Sequence, residues 1–139
     1  RVGMAVDTLA ETGAGVVGTN DGAHPLVQKG RHATHPLVRR SYIEEQGGTF
    51  DGTGEIYSES YSHQWVDTEL VRTAMLRGQW AFAERSVVRH LHPIWGTAPM
   101  DATYEKALLD TAQDQRLFAE RMGQMRGLQR RSRGRRAVR

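Results

Sequence analysis

The spacing of apolar and polar residues changes period several times along this chain, and each change marks an element. Apolar positions at helical spacing from Val2 to Glu11, followed by Gly13, predict a first helix and its stop. Gly15 to Thr19 reads as a short buried strand, and Asn20 to Ala33 as a loop rich in glycine and histidine. His24-Pro25-Leu26-Val27 is echoed by His35-Pro36-Leu37-Val38. This repeat is too short for a solenoid and is either coincidence or two similar strand starts, where proline is tolerated. Ser41 to Glu44 has the form of a capping box, with Gly47 as the helix stop. The polar, glycine-rich stretch from Gly48 to His63 has the length of a functional or mobile loop.

The second half is more strongly patterned. Leu70, Val71, Ala74 and Met75 form one stripe of a helix expected over Thr68 to Arg77, with Asp67 at or just before its N-cap and Gly78 as its stop. Trp80 to Ala83 and Ser86 to His92 read as two short strands. Side chains alternate along a strand, so His90 and His92 are expected on one face. Pro93 to Pro99 is a connector rich in helix breakers. Asp101 or Thr103 then caps a helix whose apolar stripe, through Tyr104, Ala107, Leu108, Thr111, Phe118, Ala119 and Met122, is narrow and interrupted. Such a helix is expected to extend from the body or to pack on a partner. Helices at both ends with short strands between them predict a mixed α/β class and an incomplete sheet with an exposed edge.

Composition refines this picture at a few points. A chain of 139 residues with 38% hydrophobic content supports one modest core and not two. No apolar run is long enough to span a bilayer. The absence of cysteine excludes a disulfide framework and any thiolate zinc site, and it fits a reducing, cytoplasmic compartment. Metal, if used, must be held by histidine and carboxylate. The net charge of +3 arises at one end, where no acid follows Gly123 and arginines crowd residues 126–139. That stretch has few apolar side chains, so residues 127–139 are expected to be a disordered basic tail with non-specific attraction to polyanions such as nucleic acid.

Asp67 and Glu69 at the start of one helix, followed closely by His90 and His92, form the chemical constellation of the chain. Together with Leu37-Val38-Arg39-Arg40-Ser41-Tyr42-Ile43-Glu44-Glu45-Gln46-Gly47-Gly48-Thr49-Phe50-Asp51, the constellation resembles the C-terminal half of family-2-type GT-A glycosyltransferases. In that family a strand leads into a short helix and a Gly-Gly-x-Phe-Asp-like turn. A loop, an acidic motif ahead of an amphipathic helix, a glycine and a closing strand ending in histidine then follow. The match in order runs from about Val16 to His92. The family's Asp-x-Asp metal motif and its nucleotide-binding strands have no counterpart here. Val66 also stands where the family often carries the first acid of a pair.

The resemblance implies a partial GT-A, Rossmann-like fold. Residues 1–100 would be the acceptor-side half, residues 101–126 a C-terminal helix and residues 127–139 the tail, with the N-terminal half of the domain missing. It implies inverting transfer from a nucleotide-sugar donor to an acceptor hydroxyl with Mg²⁺ or Mn²⁺. Asp67 would be the base, Glu69 a second catalytic acid, His90 the preferred metal ligand and His92 the alternate. Trp65, Trp95, Arg39 and Arg40 are the candidate substrate contacts. Each also has a plain structural reading: Asp67 as a cap, Glu69 as a partner of the helix dipole, the histidines as a hydrogen-bonded pair, the tryptophans as core and the arginines as solvated surface. The remaining histidines, at positions 24, 32, 35 and 63, read as surface or loop residues. A reading from another class is an inactive binding or structural protein whose arginine tail contacts a polyanion.

Overall fold

A computed structural model describes residues 2–137, with side chains described as far as Arg130. The elements in chain order are α1 (Val2–Thr12), β1 (Val16–Asn20), α2 (Pro25–Gln28), β2 (Leu37–Val38), α3 (Arg40–Gln46), α4 (Val66–Leu76), β3 (Trp80–Val87), a 3-10 turn (Pro93–Trp95) and α5 (Ala102–Ala137). The three strands form one mixed sheet in the order β2-β1-β3, with β1 antiparallel to β2 and parallel to β3. The class is mixed α/β, as the pattern of elements predicts.

The alternation of β1 divides the core. Val16 packs with Tyr42, Ile43, Leu70 and Ala74, which places α3 and α4 on one face of the sheet. Val17 points the other way and packs with Ala5, Ala14 and Ala83, which places α1 on the opposite face. Both valines are fully buried, and burial of a side chain of this size is worth about 1.5–3 kcal/mol. Gly15 lets the Tyr42 ring of α3 approach the start of β1, and Gly18 makes room for the Trp80 ring of β3, since a Cβ at either would collide with that ring.

The sheet explains one departure from the expected elements. A single strand, β3, replaces the two short ones, and its pairing with β1 slips between Thr19 and Asn20. Beyond Val87 the chain keeps only Val88 N–H on Asn20 O at 2.8 Å and His90 N–H on Asp21 O at 3.4 Å. His90 and His92 therefore lie past the strand end, where His90 keeps a long bond to the residue that follows β1. The proposed capping box in α3 is also not made. Arg39 is the N-cap without a side-chain bond, and Glu44 accepts from Arg40 instead.

α5 is docked on the body over Ala107 to Met125. Ala107, Asp114, Arg121, Met122 and Met125 are its buried positions among the described side chains, and two of these five are charged, which is why its apolar stripe looks interrupted in the sequence. Arg121 donates from Nε and Nη2 to the Glu69 carboxylate, at 2.8 Å each, and from Nη1 and Nη2 to Asp51 at 3.0 and 2.9 Å. Tyr61 donates its hydroxyl to Glu69 at 2.6 Å. These bonds tie α5 to α4 and to the glycine-rich turn. The hydrogen bond from Arg121 helps hold Asp51 below the usual carboxylate range although burial opposes this, while burial and Glu69 push the Tyr61 phenol up. The turn itself needs Gly47, which has φ 76° and whose added Cβ would overlap the carbonyl of Gly52. Arg77 of α4 completes the tie, donating to Gly47 O at 2.7 Å and Thr49 O at 3.0 Å.

α5 continues past Gly127 to Ala137, so helix stands where composition predicts a disordered tail. Arginine and glutamine are good helix formers, and no proline interrupts the segment. Residues 138 and 139 of the expected tail lie outside the described residues.

Candidate functional site

A cavity of about 560 Å³ opens beyond the carboxyl ends of the parallel strands β1 and β3, between the start of α4, the 3-10 turn and α5. This is where loops leaving adjacent parallel strands diverge and leave a crevice. Five residues singled out in the sequence line it: Trp65, Asp67, His90, His92 and Trp95. The loop after β1 adds His24, His32 and Thr34, and the facing sides of α4 and α5 add Thr68, Arg72 and Phe118.

Asp67 lies inside the first turn of α4, because the helix begins at Val66 with Trp65 as its N-cap. Its Oδ1 accepts from the Thr68 N–H at 2.7 Å, and its Oδ2 lies 3.3 Å from His32 Nε2. Burial alone would raise its carboxyl. The bond and charge from His32, helped by Thr68, outweigh burial and hold it below the ordinary value of 3.8. Asp67 is thus ionised and oriented at neutral pH. His32, read from the sequence as a surface or loop residue, lies in the loop after α2 and is buried at 6% exposure.

Two His-Pro steps do the same local work. His24 Nδ1 accepts from Leu26 N–H at 3.1 Å ahead of α2, and His92 Nδ1 accepts from Ile94 N–H at 3.2 Å ahead of the 3-10 turn. The first step therefore starts a helix, whereas only the second member of the sequence echo leads into a strand. An imidazole that accepts at Nδ1 carries its proton at Nε2 when neutral. His92 accordingly has its Nδ1 lone pair engaged and carries its proton at Nε2 when neutral. His90 is free of such a commitment; its ring lies 5.1 Å from that of His35 and 5.3 Å from that of His92. Among the described residues no group of three or more histidines and carboxylates is arranged to hold a metal ion.

Trp65 is held in a left-handed conformation with φ 71°, a costly one for a bulky side chain. Its surroundings enforce it. Asp114 of α5, fully buried, accepts from the N–H groups of Ser62, His63 and Gln64 at 2.8–2.9 Å, which fixes the chain just before Trp65. Those bonds outweigh burial and keep the Asp114 carboxyl low. The Trp65 ring stacks on Phe118, with centroids 5.0 Å apart. Trp95 contacts His24 edge to face. Both tryptophans are therefore cavity walls and not core.

Three expected site residues are elsewhere. The Glu69 carboxylate is 1% exposed and spent on Arg121 and Tyr61, on the side of α4 away from the cavity. Its role as a second acid gives way to a structural one. Arg39 donates to Leu9 O and Ala14 O, and Arg40 is exposed beside Glu44, so neither reaches the cavity. Asp21, which the sequence reading passed over, organises the loop after β1. Its Oδ1 accepts from Ala23 and His24 N–H and its Oδ2 faces Thr34. An acid placed directly after a buried strand and before a glycine was the available signal. Asp114 and Arg121 carried no comparable signal beyond their place on an otherwise apolar stripe.

The site makes stability depend on pH in a defined window. Burial, joined by neighbouring imidazoles, lowers His24, His90 and His92 below the ordinary 6.5. The unfolded chain then binds more protons just below pH 6.5, so folding stability falls as pH drops through that region. The depressed carboxyls of Asp51, Asp67 and Asp114 keep their contribution until the pH falls below about 3.8. The melting temperature is expected to be level from pH 8 to 7 and to decline from about pH 6.5, with a smaller decline in His90→Gln. A curve level down to pH 4.5 would contradict the histidine assignment.

No protein-family model, no curated protein and no solved structure matches this chain, so its fold and its site stand on their own geometry.

Proposed function

We propose that this chain is the acceptor-side half of an inverting nucleotide-sugar glycosyltransferase of GT-A type. The observation that carries the reading is the placement of an ionised, oriented Asp67 in one cavity with His90 and two tryptophan walls, beyond the carboxyl ends of parallel strands. The order of motifs in the sequence supports the same reading. Stacking on Trp65 or Trp95 would hold a sugar ring by its apolar face. Asp67 would take the proton of the acceptor hydroxyl as that oxygen attacks the anomeric carbon; the new C–O bond forms while the bond to the nucleoside diphosphate breaks, and the diphosphate leaves with the electron pair. His32 would keep the Asp67 carboxylate aimed. His90 would help to hold Mg²⁺ or Mn²⁺, whose charge offsets that of the departing diphosphate.

Two measurements test the reading. The protein in the full length its gene encodes is expected to release nucleoside diphosphate from one member of a panel of nucleotide sugars when Mn²⁺ and a glycan acceptor are supplied. The chain of residues 1–139 by itself is expected to show no stoichiometric Mn²⁺ binding by calorimetry, because it offers one ready ligand. No release from any donor would favour an inactive binding or structural protein, with the exposed Arg126 and Arg130 of α5 as its polyanion contact. Tight one-to-one Mn²⁺ binding by the chain alone would overturn the half-domain interpretation.

A further inference from the structure

Four arginines among the described residues are not exposed, and three of them have partners that account for their position. Arg39 and Arg77 donate to backbone carbonyls, and Arg121 lies between two carboxylates. Arg72 is the exception. It is half-buried in the cavity wall and has no hydrogen bond, ion pair or ring contact among the described residues. A guanidinium that gives up part of its hydration normally regains it from a carboxylate, a phosphate or carbonyl oxygens, which its planar fork matches two at a time.

The surroundings of Arg72 resemble a binding annex. Trp65, Thr68 and Arg72 follow one another on one face of α4, and Thr111 and Phe118 of α5 face them across the cavity. The stacked Trp65 and Phe118 rings supply an apolar platform, Thr68 and Thr111 supply hydroxyls, and Arg72 supplies the charge. Asp67 and Arg72, five positions apart on α4, both line this cavity. A hydroxyl at Asp67 and an anionic substituent at Arg72 can therefore belong to one molecule that fills it.

We infer that the space between α4 and α5 is an acceptor subsite for a sugar bearing a carboxylate or a phosphate, with Arg72 as its specificity-determining residue. The sugar rests on the proposed glycosyl-transfer reading; the anion preference rests on Arg72 alone. The test is titration of the protein, followed by tryptophan fluorescence and by amide shifts of residues 65–72, with glucuronate, glucose 6-phosphate, glucose and inorganic phosphate. At least one charged sugar is expected to bind about tenfold or more tightly than glucose, and the tighter of the two identifies carboxylate or phosphate as the group recognised. Arg72→Gln is expected to abolish that advantage while leaving glucose binding unchanged, and Arg72→Lys to retain part of it. Because Arg72 has no partner among the described residues, the glutamine variant is expected to keep its structure, and its glucose titration verifies this. An advantage that survives in Arg72→Gln, or no advantage in the unmodified protein, overturns the inference. Inorganic phosphate binding that depends on Arg72, with no sugar bound, would uphold the anion subsite and count against glycosyl transfer. No perturbation by any of the four probes would overturn the subsite.

Discussion

Asp67→Asn is expected to lower turnover in the full-length protein by a hundredfold or more while donor binding changes little, because loss of a general base costs about 10²–10⁴ in rate. The asparagine is nearly the same size; its oxygen can still accept from the Thr68 N–H while its amide N–H donates to the Nε2 of a neutral His32, so the fold survives. A purely structural Asp67 would behave differently. In the first turn of α4 its charge contributes about 0.3–1 kcal/mol through the helix dipole, and replacing it would shift the melting temperature by a few degrees without touching turnover. The pH profile separates the two roles. His32 opposes the effect of burial on Asp67, so His32→Gln should raise the Asp67 carboxyl and move the acidic limb of the rate profile upward from below 3.8. An unmoved limb together with normal turnover in Asp67→Asn would remove Asp67 from the mechanism.

The second large effect concerns stability. Arg121→Met is expected to cost about 3–5 kcal/mol, because it leaves the Glu69 carboxylate buried with only the Tyr61 hydroxyl as a partner. For a chain of this length that corresponds to a fall in melting temperature of roughly 10 °C or more. The double variant Glu69→Gln, Arg121→Met should recover most of the loss, since a neutral amide buried beside methionine carries a far smaller desolvation penalty. A single variant that melts within about 2 °C of the unmodified protein would show that the network contributes little net stability. A double variant no better than the single would assign the loss to packing against Phe50 and Tyr61, over whose rings the guanidinium lies at 5.1 and 5.9 Å.

These two residues illustrate what could and could not be read along the chain. The helix carrying Asp67 was legible because Leu70, Val71 and Ala74 recur at helical spacing and Gly78 ends it, and all of that information lies within three turns. The strand at Val16 and the cap at Asp101, whose carboxylate accepts from Thr103 and Tyr104 N–H, were legible for the same reason. The convergence of Trp65, Asp67, His90, His92 and Trp95 was also partly legible, because all lie at or near element ends that a parallel sheet brings to one side. The strand assigned to His90 and His92 was not. Whether that segment pairs depends on where β1 ends, a fact held some seventy residues earlier in the chain.

The sequence by itself determined the local elements, the α/β class and the chemistry on offer: a carboxylate early in one helix, imidazoles after a strand, and arginines toward the end. Those features depend on spacings of two to four residues, which every chain with this pattern would share. Only the tertiary structure decided which partners those groups meet. It gave Asp67 to His32, took Glu69 out of the cavity to face Arg121, and used Asp114 to fix the loop before Trp65. It also left Arg72 facing the cavity without a partner among the described residues. The physical reason is that burial and pairing of charge are set by contacts between distant segments. Two acids two positions apart on one helix can thus be a half-buried cavity carboxylate and a fully buried strut, depending only on which way each one points.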